Sequence, residues 1–196
     1  MTLPSLRTRR LRLRGATAAD KESLWMLWNV PDVRRYLFDD RPVTRQYAAA
    51  VLESTFAQAI RGLGLWMVER AADRTAIGCV ALMPAALVAD YDPGVKGLVE
   101  PIVSLTPPAW GRGYAREALR AVIAYAFNTL RLPQLAAAND VPDEASHRML
   151  CHLGFTAARV CTGPCHPIRT YRLDAAAFAT ATTDKPLSPA RGRRAT

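Results

Sequence analysis

Residues 106–127, TPPAWGRGYAREALRAVIAYAF, constrain the fold more than any other stretch of the chain. Two prolines are followed by two glycines one residue apart, and these stand at the head of a helical pattern of about four turns. Across residues 115–130 the apolar Ala115, Ala118, Leu119, Val122, Ala126, Phe127 and Leu130 share one face, while Arg116, Glu117 and Arg120 lie elsewhere. Such a helix must lay its apolar face on a second layer. Its N-terminus leaves backbone N–H groups without helical partners and carries the positive end of the dipole. One glycine suffices for a tight turn; two clear side chains from in front of those donors, so that a diphosphate can reach the main chain. The spacing is not that of a Walker loop. Nor is it a dinucleotide fingerprint, because Arg116 stands where G-x-G-x-x-G requires its third glycine. On the glycines alone, a strand-to-helix turn with no ligand explains the spacing equally well.

Residues 10–14 alternate arginine and leucine, which reads as a strand with its leucines inward and its arginines toward water. Thr17, with Asp20 three residues on, opens a helix by capping-box geometry; it carries Leu24, Trp25, Leu27 and Trp28 and stops before Pro31. Thr44 opens a second helix through Tyr47, Val51, Leu52, Phe56 and Ile60, ended by Gly62 and Gly64. Strands at 65–70 and 76–83 form a hairpin, and 84–94 reads as a loop with turn chemistry at Asp92-Pro-Gly. The strand at 97–105 contains Pro101, which cannot donate to a ladder, so a bulge or broken pairing is expected there. After the amphipathic helix come a strand at 134–139, a helix at 144–153 closed by Gly154, and an antiparallel pair at 155–160 and 169–173. This order predicts an α/β (α+β) fold: a mixed, mostly antiparallel sheet of six to seven strands with helices on both faces. Residues 1–181 form one domain, and 182–196, rich in Pro, Thr, Arg and Gly, read as a disordered basic tail.

A formal net charge of +9 suggests a nucleic-acid partner until it is located. Five of those charges come from Arg7, Arg9, Arg10, Arg12 and Arg14, and three from the tail, where Lys185, Arg191, Arg193 and Arg194 outweigh Asp184. The remainder is close to balance, with no basic stripe across a folded face, so no specific nucleic-acid partner is expected. No run approaches the ~18 apolar residues of a membrane span, so no membrane partner is expected either. The start lacks an apolar export segment, which points to the cytoplasm. Cys79, Cys151, Cys161 and Cys165 are irregularly spaced and read as reduced thiols. His147 and His152 are five apart and do not share a helix face, while Cys161, Cys165 and His166 lack a second ligand pair, so no metal site is expected.

Four separated segments resemble one family. Trp110-Gly-Arg-Gly-Tyr-Ala115 resembles the acetyl-CoA loop of the GNAT N-acetyltransferases, and more closely that of the RimJ/RimL-type branch, with Gly113 and Ala115 at the last two fixed positions. Residues 6–14 resemble the first strand of that branch, 30–37 its "DPEVRRYL" helix, and 145–155 its "ASIRVLEKLGF". The resemblance spans residues 6–173 in the family's order. It implies a sheet that splays between its fourth and fifth strands, with acetyl-CoA as acyl donor. Ile102, Val103, Ser104 and Leu105 would then lend backbone groups to the pantetheine arm. Trp110, Gly111, Arg112, Gly113, Tyr114 and Ala115 would hold the diphosphate.

By the same resemblance Glu100 is the candidate proton acceptor and Ser146 the candidate partner of the departing thiolate. Read from the residues alone, Glu100 is equally a strand-edge carboxylate, and Ser146 equally a helix cap. Asp143 stands where the family has asparagine near the cofactor arm; this departure keeps open a second class, an acyl-CoA-binding module without catalysis. Trp25, Trp28, Tyr36 and Phe38 are candidates to line an acceptor pocket, or simply core. The function implied is acetyl transfer to a primary amine, either a protein N-terminus or a small molecule, by direct attack. Acceptor, acyl length and oligomeric state, a homodimer included, are not fixed by the sequence.

Overall fold

The computed structural model describes residues 3–183. Eight strands run in the order β1-β2-β3-β4-β5-β6-β8-β7. They are β1 (Leu6–Arg7), β2 (Leu11–Gly15), β3 (Gly64–Arg70), β4 (Ala76–Pro84), β5 (Val99–Leu105), β6 (Gln134–Asp140), β7 (Thr156–Cys161) and β8 (Ile168–Asp174). The helices are α1 (Lys21–Trp28), α2 (Pro31–Leu37), α3 (Arg45–Gln58), α4 (Ala86–Tyr91), α5 (Tyr114–Asn128), α6 (Glu144–His152) and α7 (Ala175–Thr183). All neighbouring pairs are antiparallel except β5 with β6.

Side chains alternate across a strand, and both faces here are covered. From β3, Trp66 and Val68 join Leu11, Leu13, Val80 and Leu82 beneath the apolar stripe of α5. Leu65 and Met67 face the other way and bury against Leu24, Leu27 and Trp28 of α1 and Ala48 and Leu52 of α3. This two-sided burial explains why β3 reads as a continuous apolar run rather than an alternating one.

Several expectations are corrected. The segment expected as a loop holds α4, whose Val88 packs with Ala136 of β6; six residues are too few to show a helical period. In keeping with the helix that the resemblance implies at 30–37, Pro31 both ends α1 and opens α2, where its missing N–H costs nothing. The strand arginines are not simply solvated: Arg12 and Arg14 pair with Glu69 at 3.2 and 2.6 Å, and Arg14 with Asp20 at 2.7 Å. Thr17 and Asp20 do meet, with the Thr17 N–H donating to Asp20 Oδ2 at 2.8 Å, but around a single 3-10 turn that precedes α1. Up to residue 181, the expected end of the domain, the chain stays packed: α7 sets Phe178 against Phe127 with ring centroids 5.7 Å apart. The rest of the expected tail, 184–196, lies outside the described residues.

Pro101 does not bulge the ladder toward β4, which runs in continuous register from Gly78↔Leu105 through Leu82↔Pro101 to Pro84↔Val99. The broken pairing is on the opposite edge, where β5 and β6 meet only at Val99↔Leu135. The sheet therefore splays between these two strands. They are the fourth and fifth in the count that omits the two-residue β1.

Candidate active site

Beyond Val99, the edge of β5 that faces β6 has no strand partner, and the gap opens into a cleft of about 730 Å³. Ile102, Val103, Ser104 and Leu105 lie along this wall. At its end the Trp110 indole N–H donates to the Leu105 carbonyl at 2.7 Å, tying the glycine turn to the strand. Gly111 and Gly113 have φ of +70° and +75°, with Arg112 between them on the ordinary negative side. Alternating hand along successive residues turns their N–H groups into one concavity, a geometry that binds anions. Gly113 is also the N-cap of α5, so the unpartnered N–H groups of the first helical turn open beside it. A Cβ on Gly111 would meet nothing within 4 Å, so the space in front of the turn is clear. Trp110, Gly111, Gly113, Tyr114 and Ala115 all line the cleft. Arg112 does not: it is exposed, and its carbonyl accepts from Arg10 Nη1 at 2.9 Å.

Alternation along β5 puts Ile102 on the face covered by α1 and α3, and Glu100 and Ser104 share that parity. Glu100 lines the cleft, is only 9% exposed, and has no hydrogen bond or ion pair among the described residues. Burial pushes its carboxyl up to about 7. Ser104 sits over two buried groups, accepting from the Trp28 indole N–H at 3.3 Å and lying 3.2 Å from Cys79 Sγ. Across the cleft, Asp143 and Ser146 begin α6, and the Asp143 carboxylate accepts the Ser146 N–H at 3.0 Å as the helix cap. Of the aromatic candidates, Tyr36 of α2 lines the cleft. Trp28 packs on Phe38 at 5.6 Å, and Trp25 donates to the Val43 carbonyl, so these three belong to the core around it.

One cluster escaped the sequence. Asn139 of β6 lines the cleft, and its amide donates to the carbonyls of Asp140 and Asp143, both at 2.8 Å. Its Oδ1 accepts from the buried Tyr171 hydroxyl at 2.6 Å, and that oxygen lies 2.8 Å from His147 Nδ1. A tyrosine hydroxyl has one proton to give, so His147 Nδ1 is the donor in the second contact. These residues lie on β6, α6 and β8, and no local spacing announces them.

Among the described residues no group of three or more His, Cys, Asp or Glu is placed to hold a metal ion, and no helix is long and apolar enough to cross a membrane. Residues 10–156 match the acetyltransferase (GNAT) domain family. The chain is 30% identical over 155 residues to the uncharacterized N-acetyltransferase YoaA of Bacillus subtilis, covering 78% of this chain and 82% of that protein. Among solved structures it is similar to a GNAT-family acetyltransferase of Bordetella pertussis, with a TM-score of 0.75 and 18% identity, covering 86% of this chain and 98% of that one. It is also similar to the spermidine N-acetyltransferase of Vibrio cholerae solved with CoA and spermine, with a TM-score of 0.68 and 18% identity, covering 88% and 99%. With the splayed sheet, the glycine turn and the matched family in agreement, the chain belongs to the GNAT acetyltransferase family.

Proposed function

We propose that the protein moves an acetyl group from acetyl-CoA to a primary amine by direct attack, in the manner of the RimJ/RimL-type branch. Glu100 carries the reading: it is a buried carboxylate without a partner, on the wall of the cleft beside the splay. Acetyl-CoA supplies an activated thioester when bound. The protein's task is to hold that thioester, admit an amine and take a proton. The turn from Trp110 to Ala115 offers backbone N–H groups to the diphosphate, and the unpaired edge of Ile102 to Leu105 offers peptide groups to the pantetheine arm.

An amine arrives mostly protonated at neutral pH, since α-amino groups titrate near ~8 and lysine near ~10.4. A carboxyl near 7 is a far better proton acceptor for it than one with an ordinary pKa. Its buried charge also favours the incoming ammonium over a neutral competitor. Ser146, at the first turn of α6, can donate a hydrogen bond to the departing sulfur. The acceptor is a protein N-terminus or a small-molecule amine.

The test is incubation with acetyl-CoA and a panel of amines and peptides, read as acetylated mass. Transfer to an amine that vanishes in Glu100→Gln supports the reading. CoA binding without transfer to any acceptor would leave only the binding module.

A further inference from the structure

The glycine turn is not free-standing. Arg10, in the short link between β1 and β2, reaches it with its guanidinium. Its Nη1 donates to the Arg112 carbonyl at 2.9 Å, and its Cζ lies 4.6 Å from the centroid of the Tyr114 ring. Its Nη2, with no partner among the described residues, lies 3.5 Å from where a Cβ on Gly113 would stand. Glu117, in the first turn of α5, holds Arg10 in place: Nε donates to its Oε2 at 2.6 Å and the Arg10 backbone N–H to its Oε1 at 2.9 Å. Thr8 Oγ1 donates to the same Oε1.

We infer that Arg10 is the positioning residue of the diphosphate site, fixing the peptide between Arg112 and Gly113 so that its N–H faces the acyl donor. This rests on reading the turn as that site. In a trans peptide the carbonyl of one residue and the N–H of the next point in opposite directions. By holding the Arg112 carbonyl toward β1 and β2, Arg10 sends the Gly113 N–H the other way. Glycine rotates about φ with little cost, so without that bond the same peptide is free to flip and present a carbonyl to the phosphates. Arg10 also neutralises Glu117, whose carboxylate would otherwise stand one helical turn from a bound anion. A carboxylate there complements the helix dipole but opposes a ligand that uses the same dipole.

The experiment compares calorimetric affinities for coenzyme A and for pantetheine, which lacks the diphosphate and nucleoside, and so needs no knowledge of the acceptor. The wild type should prefer coenzyme A. Arg10→Met, which keeps the aliphatic stem, should cut that preference by about tenfold or more, the scale of one charge-assisted hydrogen bond. Arg10→Lys, able to satisfy Glu117 or the carbonyl but not both, should recover part of it. Adding Glu117→Gln to Arg10→Met should recover the electrostatic share. Loss of fold would weaken both ligands together and lower the melting temperature. Equal weakening of both ligands in Arg10→Lys or Arg10→Met at an unchanged melting temperature therefore overturns the inference, as does a wild-type preference in folded Arg10→Met. A wild type that does not distinguish the two ligands removes the diphosphate site itself, and the role of Arg10 with it.

Discussion

Replacing Glu100 by glutamine should separate stability from function, because this carboxyl is costly to the fold in the pH range where catalysis would use it. Burial raises it from 4.5 to about 7. The unfolded chain therefore gives up this proton first, and between those two values the native state binds more protons than the unfolded one. Stability then falls as pH rises, with the contribution intact below 4.5 and lost by the time pH has passed about 7. At about 1.4 kcal/mol per pKa unit, the loss is about 3 kcal/mol, a large part of the ~5–15 kcal/mol that holds a domain together. Glutamine keeps the size and carries no charge, so Glu100→Gln should gain about 3 kcal/mol over wild type between roughly pH 5 and pH 8.

Urea titrations of both proteins across that range, at constant m-value, measure the difference directly. Turnover should move the other way, down by about a hundredfold or more, the usual scale of a proton acceptor. The rise of wild-type kcat/KM with an apparent pKa near 7 should disappear, leaving only the limb set by the amine. Parallel stability curves for the two proteins would refute the claim that Glu100 is held against its charge. Wild-type turnover by the variant across roughly pH 6–9 would place the proton acceptor elsewhere.

Gly113→Ala puts an L-residue at φ +75°, with Arg10 Nη2 at an ordinary 3.5 Å, so the fold should survive a strain of ~1–2 kcal/mol. Coenzyme A affinity should drop, and unchanged affinity in a calorimetric titration would remove the turn as its site. Ser146→Ala should lower turnover less than Glu100→Gln, since solvent can protonate an ordinary thiolate; a larger loss in steady-state assays would reverse the two roles. Burial pushes the Cys79 thiol up to about 11 while Cys151 and Cys165 are exposed. Native alkylation followed by mass spectrometry should therefore mark the latter two and spare Cys79 until denaturant is added; equal rates for Cys79 and Cys151 would contradict the burial.

Strong periodicity made α5 legible, and the two positive-φ glycines were visible as a spacing before their dihedrals were known. The strands β3, β4 and β5 are legible for a similar reason, being mainly aliphatic or β-branched runs closed by turn residues. What was hidden is what depends on distance in the fold rather than in the chain. The pairing of Arg10 with Glu117 joins residues 107 positions apart, so the arginine-rich strand read only as a solvated face. The helices α4 and α7 are short, and α7 is mostly Ala and Thr, so packing rather than pattern decides them. Pro101 announces an interruption in the sequence, but only the sheet order shows that the pairing breaks on the edge toward β6.

The Asp143 departure no longer favours a module without catalysis. Its carboxylate is engaged as the cap of α6, accepting the Ser146 N–H. Both amide protons of Asn139 go to the carbonyls of Asp140 and Asp143, while Tyr171 fills its oxygen. This hydrogen-bonded network fixes the start of α6, and with it Ser146, against β6. A protein that only bound an acyl donor would need the turn, the splayed edge and this support, all of which are satisfied by neutral or paired groups. It would gain nothing from an unpartnered carboxyl buried on the wall of the cleft, where leucine or glutamine would hold the sheet better. Local rules are broken where function requires it and offset elsewhere in the fold; Glu100 breaks one at a cost of about 3 kcal/mol, and the proposed proton transfer from an amine is a chemistry that would make use of it.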